Sequence, residues 1–406
     1  MAPPVMMSRI SEDLSAITGA EHVRITDEIV VTEPADANSV AEIIRYALQR
    51  RLSVGIRGGG TKLGWVRGET PQIYLSLSKL NRLLEHPWQD LTCTVQSGCQ
   101  WEALQNALAG HGQFVALDPL FPERATVGGI LATNDSGPMR QRYGSLRDLV
   151  IGMTLVLADG TIAKSGGKVV KNVAGYDLCK LMTGSYGTLA IITEATFRLH
   201  PVPQHARSFS ITAKDANCLA PLVAAIRSSH LLTQSLQVRR KASECYLDVC
   251  LNAHPFAKQD EILSRLVRNH GLEMREVSEE VWKTRESLFL GDATVTRIAT
   301  LPVEVCQCVD NLHAMSAAVE IESVSQSIGL HDVALRGPRD EVVPLVQKLR
   351  TIAASSDFTV SVIQPGVVEG IAAYEISTPV LSLMQAVKRQ FDPNNILNPG
   401  RLFACA

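Results

Sequence analysis

The sequence predicts an α+β fold in two domains. Short strands and amphipathic helices alternate through the first two hundred residues, where glycine is frequent. Beyond Pro201 and Pro203, glycine thins out, and longer apolar strands alternate with charged helices. A chain of 406 residues is long enough to bury two separate cores.

The stretch "TEPADANSVAEIIRYALQRR" spaces Val40, Ile43, Ile44, Ala47 and Leu48 along one helical face behind a polar cap at Asn38 or Ser39. "SVGIR", "QIYLSL" and "LTCTVQSG" read as strands, and "WEALQNALAGHG" as a helix stopped by glycine. "LVIGMTLVLADGTIAKSGG" reads as a hairpin turning at Asp159–Gly160, and "TLAIITEATFRLHP" as a further strand. In the second region "RSFSITA", "ECYLDVCL" and "TVTRIATLP" read as strands, "AKQDEILSRLVRNHG" and "PRDEVVPLVQKLRTIAAS" as helices. A last helix, "STPVLSLMQAVKRQF", precedes the turn-rich "DPNNILNPGRLF".

A net charge of −2 provides no field to draw in nucleic acid or an anionic bilayer. No stretch has the length of a membrane span, and the first residues lack the pattern of a secretory signal, so a cytoplasmic protein is expected. Nine scattered cysteines without a Cys-x-x-Cys pair argue against a disulfide framework and against an iron–sulfur cluster within the chain. The nearest histidines, His200 and His205, lack the spacing of a helical metal site, so no metal is expected.

Three glycine-rich segments stand out. "SVGIRGGGTKLGW" fails as a Walker loop, because Thr61 and Lys62 come in reversed order, and as a dinucleotide fingerprint, because Leu63 takes the place of the third glycine. It remains either a backbone cradle for an anion or a plain turn between strands. "ATVGGILATNDSG" and "GSYGTLAIITEA" offer small side chains over long stretches, a surface suited to a large flat ligand.

Together "RGGGTKLG", "ATVGGILATNDSG", "KNVAGYDLCKLMTGSYGTLAIITEATFRLHP" and "FDPNNILNPGRLF" resemble the vanillyl-alcohol-oxidase, or PCMH-type, FAD-binding family, and within it the smaller FAD-binding subunits of glycolate oxidase complexes. The resemblance implies a two-subdomain FAD-binding domain over residues 1–205, an α+β cap domain on the substrate side over 206–375, and a segment 376–406 that packs back on the first domain. It also implies that Arg57, Gly58, Gly59, Gly60 and Thr61, with Lys62 beside them, surround the FAD pyrophosphate. Thr126, Gly128, Gly129, Thr133, Asn134 and Gly137 would run along the cofactor. Gly187 and Ile192 would lie near its adenosine, and Asn398 near the flavin ring. Covalent relatives carry histidine where this chain has Thr61, so the FAD is expected to be noncovalent. Cys179, the one cysteine in the third segment, is expected to be a buried structural thiol.

By the same resemblance Arg285 and Arg297 would hold a substrate anion, with ordinary salt bridging as the alternative. Tyr176 and Asp177 match the family signature and are explained as well by packing. The implied activity is oxidation of glycolate or a similar small 2-hydroxy acid, with electrons passing through FAD to a related larger FAD subunit and an iron–sulfur subunit. Any attachment to a membrane would then be made through those partners. The His-x-Gly-Asp-Gly-Asn metal motif of the larger subunits is missing from this sequence, which leaves a non-catalytic electron-transfer or scaffold subunit as the alternative. A reductase resembling the UDP-N-acetylenolpyruvoylglucosamine enzyme is the more distant one.

Overall fold

The computed structural model describes residues 4–66, 68–167, 177–252, 258–356, 358–368 and 370–402. They form two compact units. The first comprises Met1–Ser136, Ser145–Val202 and Ile376–Ala406, and the second comprises Gly137–Gly144 and Pro203–Glu375.

The first unit holds two sheets. In the four-stranded one, the hairpin Val23–Thr26 and Ile29–Thr32 continues into strands Ile73–Ser76 and Val54–Arg57, which run parallel to Ile29–Thr32. Parallel neighbours need a crossover, supplied by helix Ala37–Arg50. Its buried face is the expected one, Val40, Ile43, Ile44 and Ala47. The cap differs from expectation: Asp36, one turn earlier, accepts the Ser39 N–H at 2.8 Å. A carboxylate there satisfies an end donor that no preceding turn can reach.

The second sheet is antiparallel, in the order Leu83–Glu85, Thr92–Gln96, Ile191–Arg198, Val150–Val156, Ile162–Gly166. The hairpin turns where the sequence predicts, at Asp159–Gly160. Gly160 takes φ 79°, and Asp159 Oδ1 accepts the Thr161 N–H at 2.8 Å. Helices Trp101–Ala109 and Val127–Thr133 contribute Trp101, Leu104, Leu108, Ile130 and Leu131 to the core beside this sheet, and the Trp101 and Phe197 rings meet edge to face at 6.1 Å.

In the second unit eight strands form one antiparallel sheet, in the order Met274–Val277, Ala206–Ala213, Glu244–Asn252, Thr233–Lys241, Glu320–Gln326, Leu330–Arg336, Thr294–Ala299, Thr359–Gln364. Helices Ala220–Ser228, Gln259–Asn269, Val305–His313 and Arg339–Ala354 bury their apolar residues in two clusters together with side chains of the sheet. Alternation along the strands puts a second set of side chains on the other face. There the register aligns Ser210, Asp248, Gln237 and Gln326 across four strands, and Asp332 and Arg297 across two more. Residues 137–144 belong to this unit, and Gln141 is hydrogen-bonded to Ser327. The fold is mixed α+β, as the sequence predicts.

Candidate cofactor-binding site

In the first unit the "RGGG" loop leaves the strand Val54–Arg57 and folds against the start of helix Val127–Thr133. Gly59 donates its N–H to Thr126 Oγ1 at 3.3 Å, so this hydroxyl does not cap its own helix. Backbone approaches backbone so closely that a Cβ on Gly59 would lie 1.9 Å from the Arg124 carbonyl oxygen, and one on Gly58 2.1 Å from Thr126 Oγ1. Gly60 has φ 76°, which turns the chain and leaves the N–H groups of Gly60 and Thr61 without hydrogen-bond partners among the described residues. Both alternatives left open by the sequence therefore hold together: the loop is a turn, and it is a turn with donors to offer.

The loop forms one wall of a cleft. Gly58, Gly59, Gly60, Thr61 and Lys62 line it, as do Thr126, Gly128, Gly129 and Thr133 from the second glycine segment and Gly187 and Ile192 from the third. Asn398 arrives from the far end of the chain. Small residues keep the walls close: a Cβ on Gly128 would meet Ser97 at 2.8 Å, and one on Gly187 would meet Asn398 Nδ2 at 2.8 Å.

Three expected residues are not among those lining the cleft. Arg57 is exposed, with its guanidinium near Gly60. Asn134 ends its helix in the left-handed conformation, with Oδ1 buried and without a partner among the described residues. Gly137 groups with the second unit. Two others line the cleft while their polar groups are engaged elsewhere. Lys62, buried, places its ammonium 3.2 Å from Asp135 Oδ2 and 3.2 Å from the Leu120 carbonyl. Asn398 accepts the Ile56 N–H at 3.1 Å and donates to the Tyr186 carbonyl at 2.8 Å, so its amide ties three segments together. Tyr176 lies outside the described residues. Asp177 caps helix Leu178–Met182 through the Lys180 N–H, a structural role. The Cys179 thiol is buried, donates to the Ser165 carbonyl, and is pushed up in pKa by its burial.

Sequence reasoning missed Ser97 and Arg401. Ser97 lines the cleft with its hydroxyl buried and without a partner among the described residues, a cost an isolated protein pays unless a ligand completes the bond. Its only local signal is a small polar residue before glycine at a strand end. Free loop amides, an orphaned hydroxyl and walls where no side chain fits suit a long, flat, phosphate-bearing cofactor, so FAD fits these residues. Thr61, at the loop tip, offers a hydroxyl and not the nucleophilic ring nitrogen of a flavin-linking histidine.

In the second unit Arg285 and Arg297 share one carboxylate. Arg285 Nε lies 2.8 Å from Asp332 Oδ2, and Arg297 reaches Oδ1 through Nε at 2.7 Å and Oδ2 through a terminal nitrogen at 3.1 Å. Burial pushes the Asp332 pKa up, but Arg297 and Arg285 outweigh it and hold the carboxyl below its usual range. Arg285 and Asp332 are fully buried, whereas the Arg297 side chain keeps 15% of its exposure. Next to them in sequence, His331 is buried with both ring nitrogens engaged, Nδ1 at 2.8 Å from Ser325 Oγ and Nε2 at 3.0 Å from Thr300 Oγ1. Among the described residues, no group of three or more His, Cys, Asp or Glu side chains is placed to hold a metal ion.

Comparison with known proteins agrees with this geometry. Residues 29–166 match the FAD binding domain, and residues 370–402 the C-terminal domain of FAD linked oxidases. The glycolate oxidase subunit GlcD of Bacillus subtilis is 26% identical over 424 residues, covering 92% of this chain and 88% of the relative. The mitochondrial D-lactate dehydrogenase (cytochrome) of Arabidopsis thaliana is 27% identical over 424 residues, covering 94% of this chain and 74% of the relative. The solved structure of 4-ethylphenol oxidase from Gulosibacter chungangensis shares the fold, with a TM-score of 0.76 at 16% identity over 99% of this chain and 98% of that one. The chain thus carries the FAD binding domain and the C-terminal domain of FAD linked oxidases, and FAD is its cofactor.

Proposed function

We propose that this chain is the smaller FAD-binding subunit of a glycolate oxidase type complex, oxidising glycolate or a similar small 2-hydroxy acid to the 2-oxo acid. The observation that carries the reading is the glycine-walled cleft in a chain that aligns over nine-tenths of its length with relatives named for glycolate and D-lactate. Bound FAD supplies acceptance of the hydride leaving the substrate carbon. The loop amides of Gly60 and Thr61 and the hydroxyl of Ser97 bind and orient the cofactor. Arg297 and Arg285 are proposed to hold the substrate carboxylate, with Asp332 fixing the planes of both guanidinium groups in advance so that little ordering is left for binding. The electrons pass on to partner subunits, a larger FAD subunit and an iron–sulfur protein, in the cytoplasm. No helix among the described residues is long and apolar enough to cross a membrane.

A second reading, an electron-transfer or scaffold subunit without its own substrate, is favoured by one observation. The sequence has no His-x-Gly-Asp-Gly-Asn motif, and both candidate arginines are already committed to Asp332. Anaerobic addition of glycolate or D-lactate to the purified FAD-loaded chain separates the two. Bleaching of the flavin absorbance at a catalytic rate removes the scaffold reading, while bleaching only after partner subunits are added removes the self-sufficient enzyme. An Arg297→Ala variant should raise KM with its flavin spectrum unchanged; an unaltered KM rejects the carboxylate-holding role.

A further inference from the structure

We infer that Arg401 is a cofactor-binding residue, and that residues 396–401 form a clasp whose closure on the glycine loop is coupled to FAD binding. This segment follows the loop along its length. Val54 N–H donates to the Ile396 carbonyl at 2.7 Å and Asn398 N–H to the Val54 carbonyl at 2.9 Å, holding the loop where it begins. Glu69 N–H donates to the Pro399 carbonyl at 3.0 Å, holding it where it ends. Between these points Arg401 donates to the carbonyls of Lys62 at 3.2 Å and Trp65 at 3.4 Å, the turn that follows the three glycines.

Those bonds use one terminal nitrogen of the guanidinium. Its Nε is buried and has no partner among the described residues, no carboxylate there forms an ion pair with it, and Arg401 lines the cleft with Gly60 and Thr61. Burial lowers its pKa, the mark of a cation taken out of water without a counter-charge. A half-buried guanidinium in that position is stabilised by an anion, and the anionic part of FAD is its diphosphate. The clasp therefore closes more firmly over loaded protein than over empty protein, and by linkage a closed clasp raises FAD affinity by the same factor.

The test uses the full chain stripped of FAD, in wild-type, Arg401→Gln and Arg401→Lys forms. FAD affinity is read by flavin fluorescence, ADP affinity by calorimetry, and amide exchange over residues 396–401 with and without FAD. Arg401→Gln should weaken FAD and ADP alike by about 10- to 100-fold, the loss of one charge-assisted hydrogen bond, with Arg401→Lys recovering part of it. FAD should slow exchange across the clasp in the wild type and much less in Arg401→Gln. Unchanged FAD affinity in Arg401→Gln overturns the proposal while leaving FAD as the cofactor. So does an affinity loss that falls on FAD but spares ADP, or exchange that ignores FAD in the wild type. Wild-type protein that does not take up FAD overturns the cofactor assignment as well.

Discussion

Adding one methyl group to the glycine loop should separate cofactor binding from folding. In Gly59→Ala the new Cβ starts 1.9 Å from the Arg124 carbonyl oxygen, a backbone atom with no rotamer to yield, so the loop must retreat by roughly 1.5 Å to regain van der Waals distance. Overpacking of this kind costs about 1–3 kcal/mol, and the retreat carries the free amides of Gly60 and Thr61 with it. FAD affinity should fall about 10- to 100-fold at 1.4 kcal/mol per decade. With FAD at about 100 times the wild-type Kd, ligand stabilisation of about 2.7 kcal/mol should shrink to roughly 0.4–1.4 kcal/mol. Gly58→Ala meets a side-chain hydroxyl, Thr126 Oγ1 at 2.1 Å, which can rotate at the expense of the Gly59 hydrogen bond, and should cost less. Gly64→Ala, five residues beyond Gly59, meets nothing within 4 Å and is the control. The assay is a thermal melt of each variant with and without FAD. Equal FAD stabilisation in Gly59→Ala and the wild type, or a loss in Gly64→Ala as large as in Gly59→Ala, refutes the assignment of this loop to the cofactor.

Three other outcomes follow from the same geometry. His331 has its pKa lowered by burial to about 4 against an unfolded value near 6.5, so the unfolded chain binds the extra proton; stability is complete above pH 6.5 and falls by about 3 kcal/mol as pH drops through 4, and His331→Gln should flatten that slope in urea unfolding curves. Asp332→Asn leaves Arg285 buried beside a neutral amide and should destabilise the protein by about 3–5 kcal/mol, whereas a loss below about 1 kcal/mol in denaturant titration rejects the cluster as a structural element. Because Thr61 provides no flavin attachment, acid or heat denaturation followed by filtration should leave all the yellow colour in the filtrate; colour retained with the chain contradicts noncovalent binding.

The sequence and the structure part company according to distance along the chain. Features set by local spacing were readable: the apolar face of helix Ala37–Arg50, the Asp159–Gly160 hairpin, and the three glycine segments that meet around the cleft. Pairings between distant residues were not. Lys62 belongs in reach of a phosphate by its neighbours in sequence, and only the fold brings Asp135 beneath it. The amide of Asn398 suits a flavin edge by its chemistry, yet the backbone groups it binds, at Ile56 and Tyr186, are identified only by the fold. Arginines 285 and 297 showed their charge but not the single carboxylate that orients them, because Asp332 stands on a third element whose register follows from sheet order.

A folded unit ordinarily pairs its buried polar groups, as the first unit does in enclosing the Lys388 ammonium between Asp392 and the carbonyls of Thr188 and Leu397. Around the cleft it leaves loop amides, the Ser97 hydroxyl and the Arg401 Nε without partners among the described residues, and it places glycines, which weaken a fold, beside those groups. Each unpaired group lowers the stability of the empty protein, and each regains a partner when a phosphate-bearing ligand enters. Removing such a group should therefore harm the loaded protein more than the empty one. For Lys388→Met the order reverses, since its partners are all protein atoms: the empty chain should lose as much stability as the loaded one, and a melt showing the loss only with FAD present would contradict this division between scaffold and site.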